Sequence, residues 1–230
     1  MNAPKVILAS NSPRRQQFFH DLGIPFQGES ADIDESPAHN ESPAELVTRL
    51  ALAKALTVAR RYIARAAKTE FDPPDQRLAI GADTVVAIDG KILGKPANPD
   101  EARAMLIHLR ARSHHVHTAL AIALVANGKL KRQRSLVNST TVTMRAYTDD
   151  EIAVYIATGD PMDKAGAYAI QHPQFRPVQA LSGCPAGVMG LPAADLLSIL
   201  SAFNVTSKHA PLHVCPALTG LQCCQITTHP

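Results

Sequence analysis

Three segments of the chain place reactive side chains where a structural role alone explains them poorly. The first is Ser10-Asn11-Ser12-Pro13-Arg14-Arg15. Small hydroxyl residues lead into a proline suited to the first helical position, and two arginines fall in the first turn. The open N–H groups of a helix start, hydroxyl donors and guanidinium forks make an anion site in outline. Two cations oppose the helix dipole there, so a purely structural start would favour acids; a capped helix with solvated arginines is the competing reading. The second segment, Gly81-Ala82-Asp83-Thr84-Val85-Val86, sets Asp83 in an otherwise apolar strand. Burying a carboxylate is costly unless it is paired or bound to metal, so Asp83 calls for a cation, a water to activate or a basic partner in the sheet. The third runs from Thr158 to Gln171, where glycines and a proline shape a loop carrying Asp160, Asp163 and Lys164, with Tyr168 and Gln171 on a short strand after it. Gln171 offers both a donor and acceptors, the pairing that reads the edge of a base.

Supporting groups lie elsewhere in the chain. Lys54 stands four residues after Leu50 and four before Val58, on the apolar face of a helix, either snorkelling or pointing into a cleft. Lys95 follows a hairpin, and Glu35 is a second carboxylate for a divalent ion, since magnesium is typically held by one or two carboxylates with phosphate oxygens and waters. Of the ten histidines, His114, His115 and His117 share one strand. Alternation puts His114 on the face opposite the other two, a poor metal triad. The four cysteines, Cys184, Cys215, Cys223 and Cys224, sit in the last quarter and read as thiols of a tail, with a metal site or a bridge as the alternatives. There is no GxxxxGK[ST] loop, no GxGxxG after a strand and no GxSxG elbow.

The elements that must hold these groups are legible in outline. Lys5–Ser10 predicts a strand, the Ser12-Pro13 start a helix to about Gly23, and Pro25–Ser30 a second short strand. Ser42-Pro43-Ala44-Glu45 is a capping box opening a long helix that ends before Asp72-Pro73-Pro74. Leu78–Ile88 reads as a buried strand turning at Asp89-Gly90 into Lys91–Gly94, and Asn98-Pro99 starts another helix. Ser113–Val125 and Leu130–Met144 form a hairpin about Asn127-Gly128, and Thr148-Asp149-Asp150-Glu151 is a further capping box. Leu191–Phe203 predicts a last helix, with no periodicity beyond Asn204. Helices alternate with strands early and hairpins follow, so the expected class is α/β with a mixed β-sheet and flanking helices, two lobes around a cleft.

The 230 residues, 46% hydrophobic and 19% charged, suit a sizeable globular core and exclude disorder as the main state. A net charge of +3 from 23 basic and 20 acidic residues is too even for a surface that coats nucleic acid. No apolar run reaches the roughly 18 residues of a membrane span, and Met1–Pro4 leads straight into a strand with no signal-like segment. A cytoplasmic setting is expected, with neither membrane nor stable nucleic acid as partner.

Leu8-Ala9-Ser10-Asn11-Ser12-Pro13-Arg14-Arg15, Gly81-Ala82-Asp83-Thr84-Val85-Val86, Gly94-Lys95-Pro96 and Asp163-Lys164-Ala165-Gly166-Ala167-Tyr168-Ala169-Ile170-Gln171 occur in this order. In these motifs, and in Val188-Met189-Gly190-Leu191-Pro192, the chain resembles the Maf family of nucleotide pyrophosphatases, also called septum formation inhibitor proteins. The resemblance implies a domain over 1–203 with a tail of unknown role over 204–230, and an inosine-triphosphatase-like fold. It implies hydrolysis of nucleoside triphosphates to the monophosphate and pyrophosphate, dependent on Mg2+ or Mn2+, with dTTP and UTP favoured. It makes Asp83 the proton acceptor, with Glu35 and Asp83 near the metal. Arg15, Thr84 and Gln171 would tune base choice, while Ser10, Arg14, Lys54 and Lys95 would line the phosphates. A homodimer has family precedent. The family's second name carries the alternative of a nucleotide-binding regulator of cell division in which hydrolysis is weak. Two departures stand out: His172-Pro173-Gln174-Phe175-Arg176-Pro177 replaces a glycine-rich continuation, and Gly187 stands where a polar residue is expected.

Overall fold

The computed structural model describes residues 3–66 and 76–224. Its frame is a mixed sheet of seven strands in the order β2-β1-β3-β5-β6-β7, with β4 on β3. The strands are β1 (Lys5–Leu8), β2 (Phe26–Gly28), β3 (Arg77–Ile88), β4 (Lys91–Leu93), β5 (Ser113–Ala126), β6 (Lys129–Met144) and β7 (Val178–Ser182). β2 and β3 flank β1 in parallel, and every later pairing is antiparallel. The mixed sheet expected from early alternation and later hairpins is what forms. Asp89-Gly90 and Asn127-Gly128 make the two hairpin turns, all four residues at positive φ, as a two-residue loop between twisted strands requires.

The helices are α1 (Pro13–Asp21), α2 (Pro43–Ala66), α3 (Pro99–Leu109), α4 (Asp149–Ala157), α5 (Pro185–Val188), α6 (Ala193–Ser201) and α7 (Pro211–Thr219). Capping explains where several begin. Ser42 and Glu45 exchange hydrogen bonds at the start of α2, Asn98 accepts from the Glu101 N–H at α3, and Thr148 and Glu151 form a reciprocal box at α4. α1 differs from expectation: Pro13 occupies its first turn, yet the Ser12 side chain makes no capping bond. The expected end of α2 before Asp72 lies outside the described residues.

Period-two alternation along β3 divides the core. Leu78, Ile80 and Ala82 pack with Phe18, Phe19, Leu196 and Leu200 under α1 and α6. Ala79 and Val85 face the other way, onto Val47, Leu50, Ala51 and Val58 of α2. Further along, Val86 and Ile88 join Leu106 of α3 and Tyr155 of α4. Two expectations are corrected and one gap is filled. Tyr168–Gln171 is not a strand, because two 3-10 turns at Asp160–Asp163 and Ala165–Ala167 lead into it and among the described residues no strand pairs with it. β7 and α5, too short to show periodicity, occupy a stretch without an assigned element. Between Asn204 and Cys224 the chain is not a bare tail: α7 buries Val214 and Cys215 against the α1–α6 side of the core.

Candidate active site

The site lies at a gap in the sheet. On one edge of β3, β1 pairs with Arg77–Ile80 and β4 with Val86–Ile88, which leaves Gly81–Val85 of that edge without a paired strand among the described residues. The opposite edge is covered by β5 from Arg77 to Ala87. The chain leaves β1 at Ala9 and Ser10 and turns into α1, so a cleft of about 500 Å³ opens beside the bare edge. Asp83 points from β3 to the α2 face and Thr84 to the α1 face, and the cleft touches both.

On the α2 face Lys54, 8% exposed, donates from Nζ to Asp83 Oδ1 at 2.7 Å, and Asp83 is 7% exposed. The same ammonium lies 2.7 Å from Glu35 Oε1, so Lys54 ties the two carboxylates together. Its place on the apolar stripe, marked by Leu50 and Val58, is what buries it. Burial pushes the Asp83 carboxyl above its ordinary value, while Lys54 and then Arg15 pull it down. Gly81 sets the distance: a Cβ there would stand 2.1 Å from the Ala51 carbonyl oxygen and 2.8 Å from the Ala55 nitrogen. Only glycine lets α2 come this close to β3, and that approach brings Lys54 to Asp83.

On the other face Arg15 is held at three points. Nε donates to the Gly190 carbonyl at 2.9 Å, Nη2 to Thr84 Oγ1 at 3.2 Å and Nη1 to Ser10 Oγ at 3.4 Å. Burial lowers the Arg15 pKa, with Asp83 opposing. Gly190 adopts φ +100°, a conformation strained for any side chain, and thereby aims its carbonyl at the guanidinium. Thr84 shares a hydrogen bond with Thr118 at 2.8 Å, and Thr118 donates to the Gly187 carbonyl at 2.8 Å. Sequence reasoning did not single out Thr118 or the Gly190 carbonyl. The register of β3 on β5, which sets Thr84 opposite Thr118, is what brings the first in.

The rim holds the remaining groups. Arg14 reaches Asp163 Oδ2 at 3.4 Å, and Asp163 Oδ1 accepts from Lys164 Nζ at 2.6 Å. Lys164 also donates to the carbonyl and carboxylate of Asp160, so the loop expected at the surface is pinned by a buried lysine. Lys95 and Gln171 line the cleft with Tyr168. Beyond Gln171 the departing segment has its own anchor: Phe175 stacks on Tyr155 at 4.3 Å, and the Tyr155 hydroxyl accepts from the Ala169 N–H and donates to Asp160. Every residue the sequence proposed thus lines this one cleft: Ser10, Arg14, Arg15, Glu35, Lys54, Asp83, Thr84, Lys95 and Gln171. The histidines do not: His114 is buried and hydrogen-bonded to the Tyr168 hydroxyl at 2.7 Å, and His115 is exposed.

A protein-family model described as Maf-like protein matches residues 5–203. The chain belongs to the Maf family. Among its curated relatives, the dTTP/UTP pyrophosphatase of Pelotomaculum thermopropionicum is 39% identical over 200 residues, covering 87% of this chain and 97% of that protein. The dTTP/UTP pyrophosphatase of Acetivibrio thermocellus is 41% identical over 202 residues, covering 88% and 96%. A solved HAM1 protein from Coxiella burnetii matches at 17% identity over 63% of this chain and 74% of that one, with a TM-score of 0.35, too distant to add to the sheet order above. The Maf match ends at Phe203, before α7 and the three cysteines at and after it.

Among the described residues no three His, Cys, Asp or Glu side chains group as a metal cage. Glu35 and Asp83 both lie at the Lys54 ammonium, so the cleft gathers two carboxylates about one cation. No described helix is long and apolar enough to cross a membrane.

Proposed function

We propose that this Maf protein hydrolyses nucleoside triphosphates, dTTP and UTP preferred, to the nucleoside monophosphate and pyrophosphate in the cleft at the bare edge of β3. The observation that carries the reading is the buried Asp83 held by Lys54 beside a cleft with Arg14, Arg15 and Lys95, in a chain whose relatives bear the name dTTP/UTP pyrophosphatase. Asp83 takes a proton from a water whose oxygen attacks the α-phosphorus; the bond from that phosphorus to the α,β-bridging oxygen breaks, and pyrophosphate leaves. Burial raises the Asp83 carboxyl and Lys54 draws it back down, so the carboxylate that takes the proton is more basic than an exposed one. Arg14, Lys95 and the Ser10 hydroxyl meet the phosphates. Arg15, locked to Gly190 and Thr84, and Gln171 frame the base, where an unmatched polar edge leaves buried groups unpaired. Glu35 and Asp83 would hold Mg2+ or Mn2+, which when bound supplies charge neutralisation to the triphosphate.

A two-lobed, inosine-triphosphatase-like arrangement with the cleft between the lobes remains part of the proposal. A Maf-like domain over 1–203 with a further segment over 204–230, a homodimer and a cytoplasmic setting belong to the same proposal. Pyrophosphate release from a panel of nucleoside triphosphates, with Mg2+ or Mn2+ and with a chelator, tests the function. Metal-dependent release strongest with dTTP and UTP is expected, and Asp83→Asn is expected to stay folded and lose turnover by about a thousandfold or more. Nucleotide binding without release would favour the cell-division regulator, and an active, folded Asp83→Asn protein would sink the assignment of the base.

A further inference from the structure

The four cysteines, at positions 184, 215, 223 and 224, converge in three dimensions. Cys184 caps α5, Cys215 lies within α7, and Cys223 and Cys224 follow it; all four pack in the core beside α6. They are thiols in the structure. Cys224 lies within hydrogen-bonding reach of both Cys184 and Cys223, and Cys215 within reach of Cys223. Accessibility separates these thiols. Cys184, Cys215 and Cys223 are 4%, 2% and 1% exposed, whereas Cys224 is half-buried and can be reached from solvent. The neighbour of Cys224 in sequence is a poor partner for it, because adjacent Cα atoms are about 3.8 Å apart and a disulfide usually needs about 4.4 Å or more.

We propose that Cys184 and Cys224 are a modification site, forming a reversible disulfide that fastens the chain after α7 to the turn that presents Gly190. That turn is already wired to the cleft. Cys184 Sγ accepts from the Gly187 N–H at 3.3 Å, its backbone N–H donates to Thr140 Oγ1 at 2.9 Å, and the Gly190 carbonyl holds Arg15. The oxidant is a small-molecule disulfide. The Cys224 thiolate attacks one of its sulfurs and releases one small thiolate; Cys184 then gives up its proton and attacks the Cys224 sulfur, releasing the second. Two protein S–H bonds are exchanged for one S–S bond, and the small disulfide is reduced to two thiols. Burial raises both Cys184 and Cys224, so exchange is slow near neutrality and accelerates about tenfold per pH unit while the pH stays below the attacking thiol's pKa.

The test incubates the folded full-length protein with oxidised glutathione at mildly alkaline pH and maps peptides without reduction. The expected product is a single Cys184–Cys224 cross-link, an intact mass lower by two hydrogens, and reversal by a thiol reductant. Cys215→Ser is expected to retain the link, and Cys184→Ser to stop at a mixed disulfide on Cys224. Cross-linking is also expected to slow amide exchange from Val188 to Leu191 by about tenfold, as a tether that suppresses local opening should. A different pairing, a stable glutathione adduct on the unaltered chain, thiols that react only after denaturation, or unchanged exchange at that turn would each overturn the proposal. The assay reads no nucleotide, so it stands apart from the proposed hydrolysis.

Discussion

At the residue scale the proposed chemistry rests on one ion pair. Asp83 is pushed up by burial and pulled down first by Lys54, so the two effects oppose each other on one carboxyl. As the proposed base the carboxylate accepts a proton only when ionised, and activity is therefore expected to be lost as pH falls through its pKa. Lys54→Met removes the larger of the stabilising charges, the Asp83 pKa rises, and the acid limb of the pH–rate profile is expected to move to higher pH. A limb that stays in place while the rate falls would assign Lys54 to the phosphates alone. Much of this pair was legible in advance: an acid inside an apolar strand and a lysine on an apolar helix stripe each need a partner. That they are each other's partner was not legible, because nothing in their separation along the chain encodes the packing of α2 on β3.

At the scale of elements, the decisive contact is that packing. A Cβ at Gly81 would meet the α2 backbone, which cannot rotate away as a flexible side chain can. Gly81→Ala is expected to push α2 off the sheet, to cost about 1 to 3 kcal/mol by overpacking, and to lower turnover at least about tenfold by parting Lys54 from Asp83. Denaturant unfolding and turnover on the same preparation check both. A variant that lost stability but kept full activity would show that the lysine follows the helix without consequence. The capping boxes and hairpin turns show why α2, α4 and the two hairpins were readable: their signals are local and stereochemical. Short β7, short α5 and the irregular path through Tyr168–Gln171 carry no such signal, since the register of β6 and the buried Lys164 hold them in place.

At the scale of the whole molecule, the chain from Asn204 to Cys224 adds to the core. Val214, Cys215 and Cys223 pack with Phe18, Leu196 and Phe203 itself. Ending the chain at Phe203 uncovers that surface, and the truncated protein is expected to lose at least about 3 kcal/mol, from side chains that each gain about 1.5 to 3 kcal/mol on burial. Its melting transition should fall and its tendency to associate should rise; an unchanged transition would show α7 to be an ornament on a core complete without it.

By itself the sequence determined the class of the sheet, the starts of most helices, the two hairpin turns and the residue types of the site, because periodicity, capping and buried charge act over a few residues. The tertiary structure decided the rest. Among the described residues it left one edge of Gly81–Val85 bare between β1 and β4, so one strand serves the cleft from both faces. It set Thr118 behind Thr84, locked Arg15 to the Gly190 carbonyl and gathered four cysteines from a stretch that showed no pattern. Those relations join residues far apart in the chain, and the physical cause is the close approach of packed layers, which no local preference specifies.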